Sequence, residues 1–258
     1  MNRILALAVA AAFGVSAHAA TTTTRYDIHV ENGKRAGEQV VERDDDGSTR
    51  VRFIFKDNGR GPELTEQFRV GQDGTIAKYS VKGNSTYGAV VDEQFERSGD
   101  QASWRSTSEK GSKAVNGAAL YVPLNSSFEV ASVAITALAA RPGASMPLLP
   151  SGTLSHRKPD EVDVTAGGKT QKVQLLAQTG IGMSPQFYWA TTGDKPRLFA
   201  VVIPGYMTMT EQGWSEVGKT LAARQKLSES KMLIDLAARL QHPLKGLTVV
   251  RNARVFDS

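Results

Sequence analysis

From Arg25 to Ser106, apolar and polar residues alternate with a period of two, and this alternation restricts the possible folds more than any other feature. In the run VRFIF it places Val51, Phe53 and Phe55 on one face and polar side chains on the other. Nearly every gap between such runs contains Asn-Gly, Asp-Gly or a similar pair, which supplies the positive φ of tight hairpins. The pattern predicts an antiparallel meander with one buried and one solvated face.

A different pattern follows the meander. Ser126 and Glu129 have the spacing of a capping box, and the stretch Phe128–Ala140 is apolar on nearly every side before Pro142 and Gly143 end it. A helix that is apolar all round is a buried helix, and this one is too short to cross a bilayer. We therefore predict a helix at about residues 127–140, lying in the concave face of a curved, half-barrel-like sheet. The predicted fold class is α+β, mostly antiparallel β.

After this helix, strand-like alternation returns and continues to about residue 207. Thr208 and Glu211 offer a second capping box, and apolar residues then recur at helical spacing up to Leu240. These patterns predict an antiparallel β-rich domain at residues 20–207 and a long helical spacer at residues 208–243. The threonine run Thr21–Thr24 is expected to be an unstructured start of the mature chain.

The first 19 residues are typical of a signal peptide. Arg3 precedes the apolar stretch Ile4–Val15, and an A-x-A cleavage site follows at Ala17–Ala19. We expect a periplasmic or secreted protein without a membrane span after cleavage. The chain contains no cysteine, which excludes disulfides and thiolate metal sites. Its formal net charge of +5 is scattered rather than clustered, so nucleic acid is not an expected partner.

The sequence does not present a catalytic constellation. His29, His156 and His242 are the histidines beyond the signal peptide, and no H-x-H or H-E-x-x-H motif occurs. Ser228 and Lys231 match S-x-x-K, but they lie on a polar helix face without companion motifs. We therefore predict no catalytic residue, no cofactor-binding residue and no metal ligand in this chain.

Three further stretches have both a structural and a functional interpretation. Asp44–Asp46 is interpreted as a hairpin turn rather than a calcium loop, because Gly47 follows directly. Asp57–Glu66 is interpreted as a hairpin connection, with a ligand-binding loop as the alternative. The aromatic residues Phe187–Trp189 must divide between two faces of a strand, of which one is core and the other can line a pocket or interface. His156 has no visible partner in the sequence and is expected to be structural or solvent-exposed rather than catalytic.

The end of the chain, LTVVRNARVFDS, suggests a strand at Leu247–Val250 with no later sequence to pair it. This ending resembles the opening of the small β-sandwich in amidohydrolase superfamily enzymes. The matching positions are Val249, Val250, Asn252, Ala253, Val255 and Asp257. Upstream phrases such as FIFKDNGRGPELTEQF, LLPSGTL and LQHPLKGL resemble the N-terminal extension of exported bacterial amidohydrolases.

The resemblance implies an accessory N-terminal region of a secreted, metal-dependent amidohydrolase-like hydrolase that cleaves amide or peptide-like C–N bonds. Residues 244–258 would begin a missing amidohydrolase domain, which would be the partner of this chain. That domain would carry the barrel and its divalent metal, such as zinc, so this chain alone is predicted to be inactive.

Two alternatives remain open at this point. Curved antiparallel sheets around a helix resemble lipoprotein-carrier folds, which suggests a free-standing periplasmic binding module for an apolar ligand. The objection is that the helix itself fills the concave face. The other alternative is an interaction domain whose long helix docks a protein partner.

Overall fold

The computed structural model describes residues 20–255. The predicted signal peptide, residues 1–19, and the last three residues lie outside this range. Strands and helices in the described range are β1 Thr21–Val30, β2 Arg35–Asp44, β3 Ser48–Phe55, β4 Glu63–Val70, β5 Ile76–Asn84, β6 Val90–Ser98, β7 Gln101–Arg105, β8 Lys110–Ala114, β9 Leu120–Tyr121, α1 Glu129–Ala139, β10 Ser145–Leu149, β11 Thr153–Ala166, β12 Lys169–Thr179, β13 Gln186–Thr191, β14 Leu198–Ile203, β15 Met207–Glu211 and α2 Gly218–Leu240. Short 3₁₀ turns lie at Pro142–Ala144 and Ser215–Val217.

Within residues 20–255 the strands form one sheet of 15 strands in the order β8-β7-β6-β5-β4-β3-β2-β1-β15-β14-β13-β12-β11-β10-β9. The short β9–β10 pair is parallel, whereas β1 joins the two halves of the chain by pairing antiparallel with β15. The terminal strands β8 and β9 are not paired with each other, so the sheet is not closed. The prediction of a mostly antiparallel sheet with a long C-terminal helix is confirmed.

The core lies on both faces of this sheet. The larger cluster combines alternate side chains of the early strands, such as Phe53, with Ile135 and Leu138 of α1. The smaller cluster lies under the start of α2 and contains Trp189 and Leu221. Tyr188 belongs to the larger cluster and its neighbour Trp189 to the smaller, as the alternation of a strand requires.

The predicted start of the C-terminal helix is wrong. Thr208 and Glu211 lie in β15, where they pair with His29 and Tyr26 of β1, and α2 begins only at Gly218. Backbone pairing at the edge of β1 outweighs the weak capping signal, because an unpaired edge of β1 would leave a row of backbone N–H and C=O groups without hydrogen-bond partners. The expectation for Thr21–Thr24 is also wrong, since these residues form the first half of β1 and pair with β2.

The predicted strand at Leu247–Val250 is not formed. Residues 244–255 contain no strand, and the side chain of Leu247 is 96% exposed. A strand needs a partner, and neither β8 nor β9, the two ends of the sheet, pairs with this segment. Asp257 lies outside the described residues.

Candidate functional site

The segment 122–128, called the strap below, connects β9 to α1 across the inner face of the sheet. Three polar side chains on alternate strands hold its backbone: Gln39 on β2, Glu66 on β4 and Glu93 on β6. Both glutamates are register partners of Val81 on β5, so they lie in one row across three strands. The strap is therefore fastened to the sheet by side chains that point into the interior.

Glu66 binds Ser127 through both of its carboxyl oxygens. Its Oε1 accepts the backbone N–H of Ser127, and its Oε2 accepts the Ser127 hydroxyl at 2.6 Å. Tyr79 donates a further hydrogen bond at 3.2 Å. Glu66 is 0% exposed and forms no ion pair among residues 20–255. Burial raises the pKa of Glu66 from 4.5 to about 7, although these hydrogen bonds act in the opposite direction.

Glu93 holds the beginning of the strap in a similar way. It accepts hydrogen bonds from the Tyr121 hydroxyl at 2.7 Å and from the backbone N–H groups of Leu124 at 3.0 Å and Asn125 at 3.4 Å. The residue is 1% exposed, and burial raises the pKa of its carboxyl. Tyr121 also stacks on Phe95, with ring centroids 4.2 Å apart, which fixes the point where the strap leaves β9.

Glu129, in the first turn of α1, differs from the other two carboxyls because it has a cationic partner. Arg43 of β2 forms an ion pair with it at 2.5 Å, and Arg43 also donates to Thr24. Burial raises the pKa of Glu129, and the Arg43 guanidinium partly offsets this rise. The predicted capping box with Ser126 is wrong, because the Glu129 carboxylate turns to Arg43 and its backbone N–H donates to Ser127 instead.

A cleft of about 310 Å³ lies between the strap, α1 and strands β12 and β13. Most of its lining residues are apolar, among them Val122, Val130, Ala134 and Tyr188, although polar and apolar atoms face the cleft to a similar extent. A smaller number of polar groups, including Gln178 and Gln186 and the strap serines, also face it. The exposed apolar side chains of Leu124 and Ile181 are part of the same lining. This arrangement can receive a small, predominantly apolar molecule.

Asp44–Asp46 forms the predicted hairpin turn between β2 and β3. Asp44 pairs with Arg50, and Asp46 accepts the backbone N–H of Ser48. The predicted loop Asp57–Glu66 is in fact shorter, because β4 already begins at Glu63. The interpretation of Glu66 as a loop residue is therefore wrong, and its role in holding the strap was missed.

The structure places His156, expected to be structural or solvent-exposed, beside a side chain of β12. It lies on β11, partly buried, with its Nε2 atom 2.8 Å from Oε1 of Gln178, and burial lowers the pKa of its imidazole. The S-x-x-K pair lies on α2, where Lys231 bonds to Asp235. In the described range, no three His, Cys, Asp or Glu side chains come together as a potential metal site. Neither helix of that range has the length and apolar character needed to cross a membrane.

Comparisons with known proteins find little similarity. Neither a scan against known protein families nor a search of curated proteins gives a match. Among solved structures, the chain is similar to a β-barrel-like protein of the domain of unknown function DUF1849 from Brucella abortus. The two share 11% sequence identity with a TM-score of 0.45, over 75% of this chain and 95% of the other.

These findings correct the resemblance inferred from the end of the chain. No family model and no curated protein matches the sequence, so neither supports an amidohydrolase, and the described part of the tail does not form the strand on which the resemblance depended. The proposed resemblance to amidohydrolases is therefore wrong. The accessory function, the missing partner domain and the zinc expected in its barrel were based on it and lose their support. A phrase of six matching positions was too short to identify a family.

Proposed function

We propose that the protein is a binding module for an apolar ligand, which it holds in the cleft between the strap and strands β12 and β13. The proposal includes the finer architecture: a curved, half-barrel-like sheet surrounds α1, and α1 forms the floor of the cleft rather than filling the whole concave face. The observation that carries it is the cleft itself, a partly open space lined by apolar side chains together with the polar groups of Gln178, Gln186 and the strap serines.

The size and chemistry of the cleft support this proposal. Its volume of about 310 Å³ lies at the lower end of the range of roughly 300–1,000 Å³ for small-molecule sites. Apolar contacts with residues such as Val130 and Ala134 would supply most of the affinity, in proportion to the apolar area buried. Gln178 and Gln186 can orient one polar end of the ligand by hydrogen bonding. A short acyl chain or an aromatic molecule with one polar group fits these requirements.

The predicted signal peptide supports a periplasmic or secreted location for this binding. The exposed side chains of Leu124 and Ile181 at the cleft give an apolar ligand a route that avoids full exposure to water.

Fluorescence titration with N-phenyl-1-naphthylamine, an uncharged apolar dye, tests the proposal. The Ser126→Trp variant places an indole at an exposed cleft position and should weaken dye binding at least tenfold. Thr65→Trp, an exposed position on the outer face of β4, is the matched control and should bind like the wild type. No saturable binding by the wild type, or equal binding by all three proteins, would refute the proposal. Native mass spectrometry of protein purified from its host should also reveal a co-purified small molecule.

A second candidate function is the docking of a protein partner on α2. Leu233, Leu236 and Leu240 recur at helical spacing in the last part of this helix and are exposed, although the same helix packs Leu221 on the sheet near its start. Cross-linking from Lys231 tests this candidate, with Lys219, in the part of α2 next to the sheet, as the control. A specific protein adduct from Lys231 alone supports it, and no adduct, or the same adducts from both lysines, refutes it.

A further inference from the structure

The strap is held by two buried carboxyl groups that have no cationic partner. Glu66 and Glu93 take part in no ion pair of the described range, whereas Glu129, the third buried carboxyl nearby, is paired with Arg43. Burial of an ionised carboxylate without a cation is costly, and such groups tend to take up a proton instead. Burial opposes the ionisation of all three carboxyls, but the two that fasten the strap lack the cation that partly offsets burial at Glu129.

The two contacts of Glu66 with Ser127 are also possible in the neutral form, although as donors to a carboxylate they favour the ionised form and only burial opposes it. A protonated Oε2 can donate to the hydroxyl of Ser127 while Oε1 still accepts the Ser127 backbone N–H, so both contacts persist. The ionised form would place a full charge in a site with no water access.

The charged and titratable groups around Glu66 do not compensate the negative charge that its ionised carboxylate would carry. Tyr79 of β5 donates a hydrogen bond, Glu93 of β6 lies in the same row, and Glu129 of α1 adds a negative charge that Arg43 of β2 neutralises.

We propose that the strap is a proton-controlled gate of the cleft, closed while Glu66 holds a proton and released when Glu66 ionises. The strap residues Val122, Leu124 and Phe128 form one wall of the cleft, so their release widens it. The purpose of the gate rests on the proposed function, but the movement of the strap can be measured without any ligand.

The direction and size of the strap's response to pH follow from the linkage between proton binding at Glu66 and strap opening. In the closed strap the pKa of Glu66 is about 7, and after release its solvated carboxyl returns to about 4.5. The proton binds more tightly to the closed form, so a rise in pH favours release and acid favours closure. With these two values, the opening equilibrium constant increases about tenfold between pH 6 and pH 8. Burial raises the pKa of Glu93 as well, which gives a contribution of the same sign.

Hydrogen exchange of the strap amides, measured by mass spectrometry at several pH values from 6 to 8, tests the gate. After correction for the intrinsic exchange rate, protection of the Ser127 peptide should fall about tenfold over this range in the wild type. In Glu66→Gln the uncharged amide can make both contacts with Ser127, so protection should remain high and keep only the pH dependence that Glu93 contributes. Glu96→Gln, an exposed change on β6, is the matched control and should behave like the wild type.

Constant protection in the wild type, or a Glu66→Gln variant that follows the wild-type pH dependence, would overturn the gate. The wild-type measurement decides the question even if the variant fails to fold. Dye titration at the same pH values separates this proposal from the proposed function. A pH-dependent strap without dye binding refutes the ligand function and leaves the gate standing. Dye binding with a strap whose protection does not change with pH refutes the gate alone.

Discussion

Removal of one partner from the buried ion pair between Arg43 and Glu129 should have very unequal effects. The Glu129 side chain is 2% exposed and the Arg43 side chain 27% exposed, so one charge is locked in the interior and the other can reach water. In Arg43→Met, a buried carboxylate loses its cation, which should lower the free energy of unfolding by about 3–5 kcal/mol. In Glu129→Gln, the guanidinium keeps its bond to Thr24 and partial hydration, and the loss should be about 1–2 kcal/mol.

The effect of Arg43→Met should also depend on pH. Burial already raises the pKa of Glu129, and loss of the guanidinium raises it further. A carboxyl with a raised folded-state pKa contributes stability that is present in acid and is lost as pH rises. The difference in stability between wild type and Arg43→Met should therefore be small near pH 4.5 and grow towards pH 8.

Equilibrium unfolding in urea, followed by circular dichroism at pH 4.5, 6 and 8, measures these differences. The double variant with both substitutions completes a mutant cycle and should be more stable than Arg43→Met alone at pH 8. Equal losses for the two single variants, or a pH-independent loss for Arg43→Met, would show that Glu129 is not held as a buried charge and would refute the reasoning.

Three further predictions concern other parts of the molecule. Gly111→Val adds side-chain atoms where a Cβ would already lie 2.5 Å from Cζ2 of Trp104. The indole must therefore move towards water, and tryptophan fluorescence should shift to longer wavelength. The exposed substitution Ser112→Val is the control and should leave the emission unchanged. Because burial lowers the pKa of His156, its imidazole should titrate below 6.5 in the folded protein, which an NMR titration measures. The free energy of unfolding should decrease as pH falls through the folded-state pKa, which unfolding curves at several pH values measure. Deletion of residues 244–258 should change the free energy of unfolding by less than about 0.5 kcal/mol, since the described part of this segment is exposed and adds no strand.

The sequence predicted the long early strands because most of their inward side chains are apolar. In β3, the positions of Val51, Phe53 and Phe55 are both periodic and buried, so the pattern and the packing agree. The short strand β8 was missed for the opposite reason. Lys110–Ala114 contains no large apolar residue and forms β8 only because the edge of β7 is available for pairing. Such pairing depends on tertiary context, which a local pattern does not contain.

The site was missed although a signal for it was present. The phrase Glu-Gln-Phe occurs in β4 and again in β6, and in both strands the glutamate occupies an inward position between apolar residues: Glu66 lies between Leu64 and Phe68, and Glu93 lies two residues before Phe95. A carboxyl at an inward position of an amphipathic strand must find a hydrogen-bonding partner or a proton. The alternation alone was therefore sufficient to mark Glu66 and Glu93 as unusual.

The identity of the partner, however, could not be derived from the alternation. Ser127 lies 61 residues beyond Glu66, and Leu124 lies 31 residues beyond Glu93. Contacts over such distances form only after the intervening strands have paired and brought the inner face together. The polar backbone of the strap and the two carboxyls therefore satisfy each other only in the assembled sheet. If the strap is released, the glutamates are exposed to water and can ionise, and this dependence links the protonation of the carboxyls to the position of the strap.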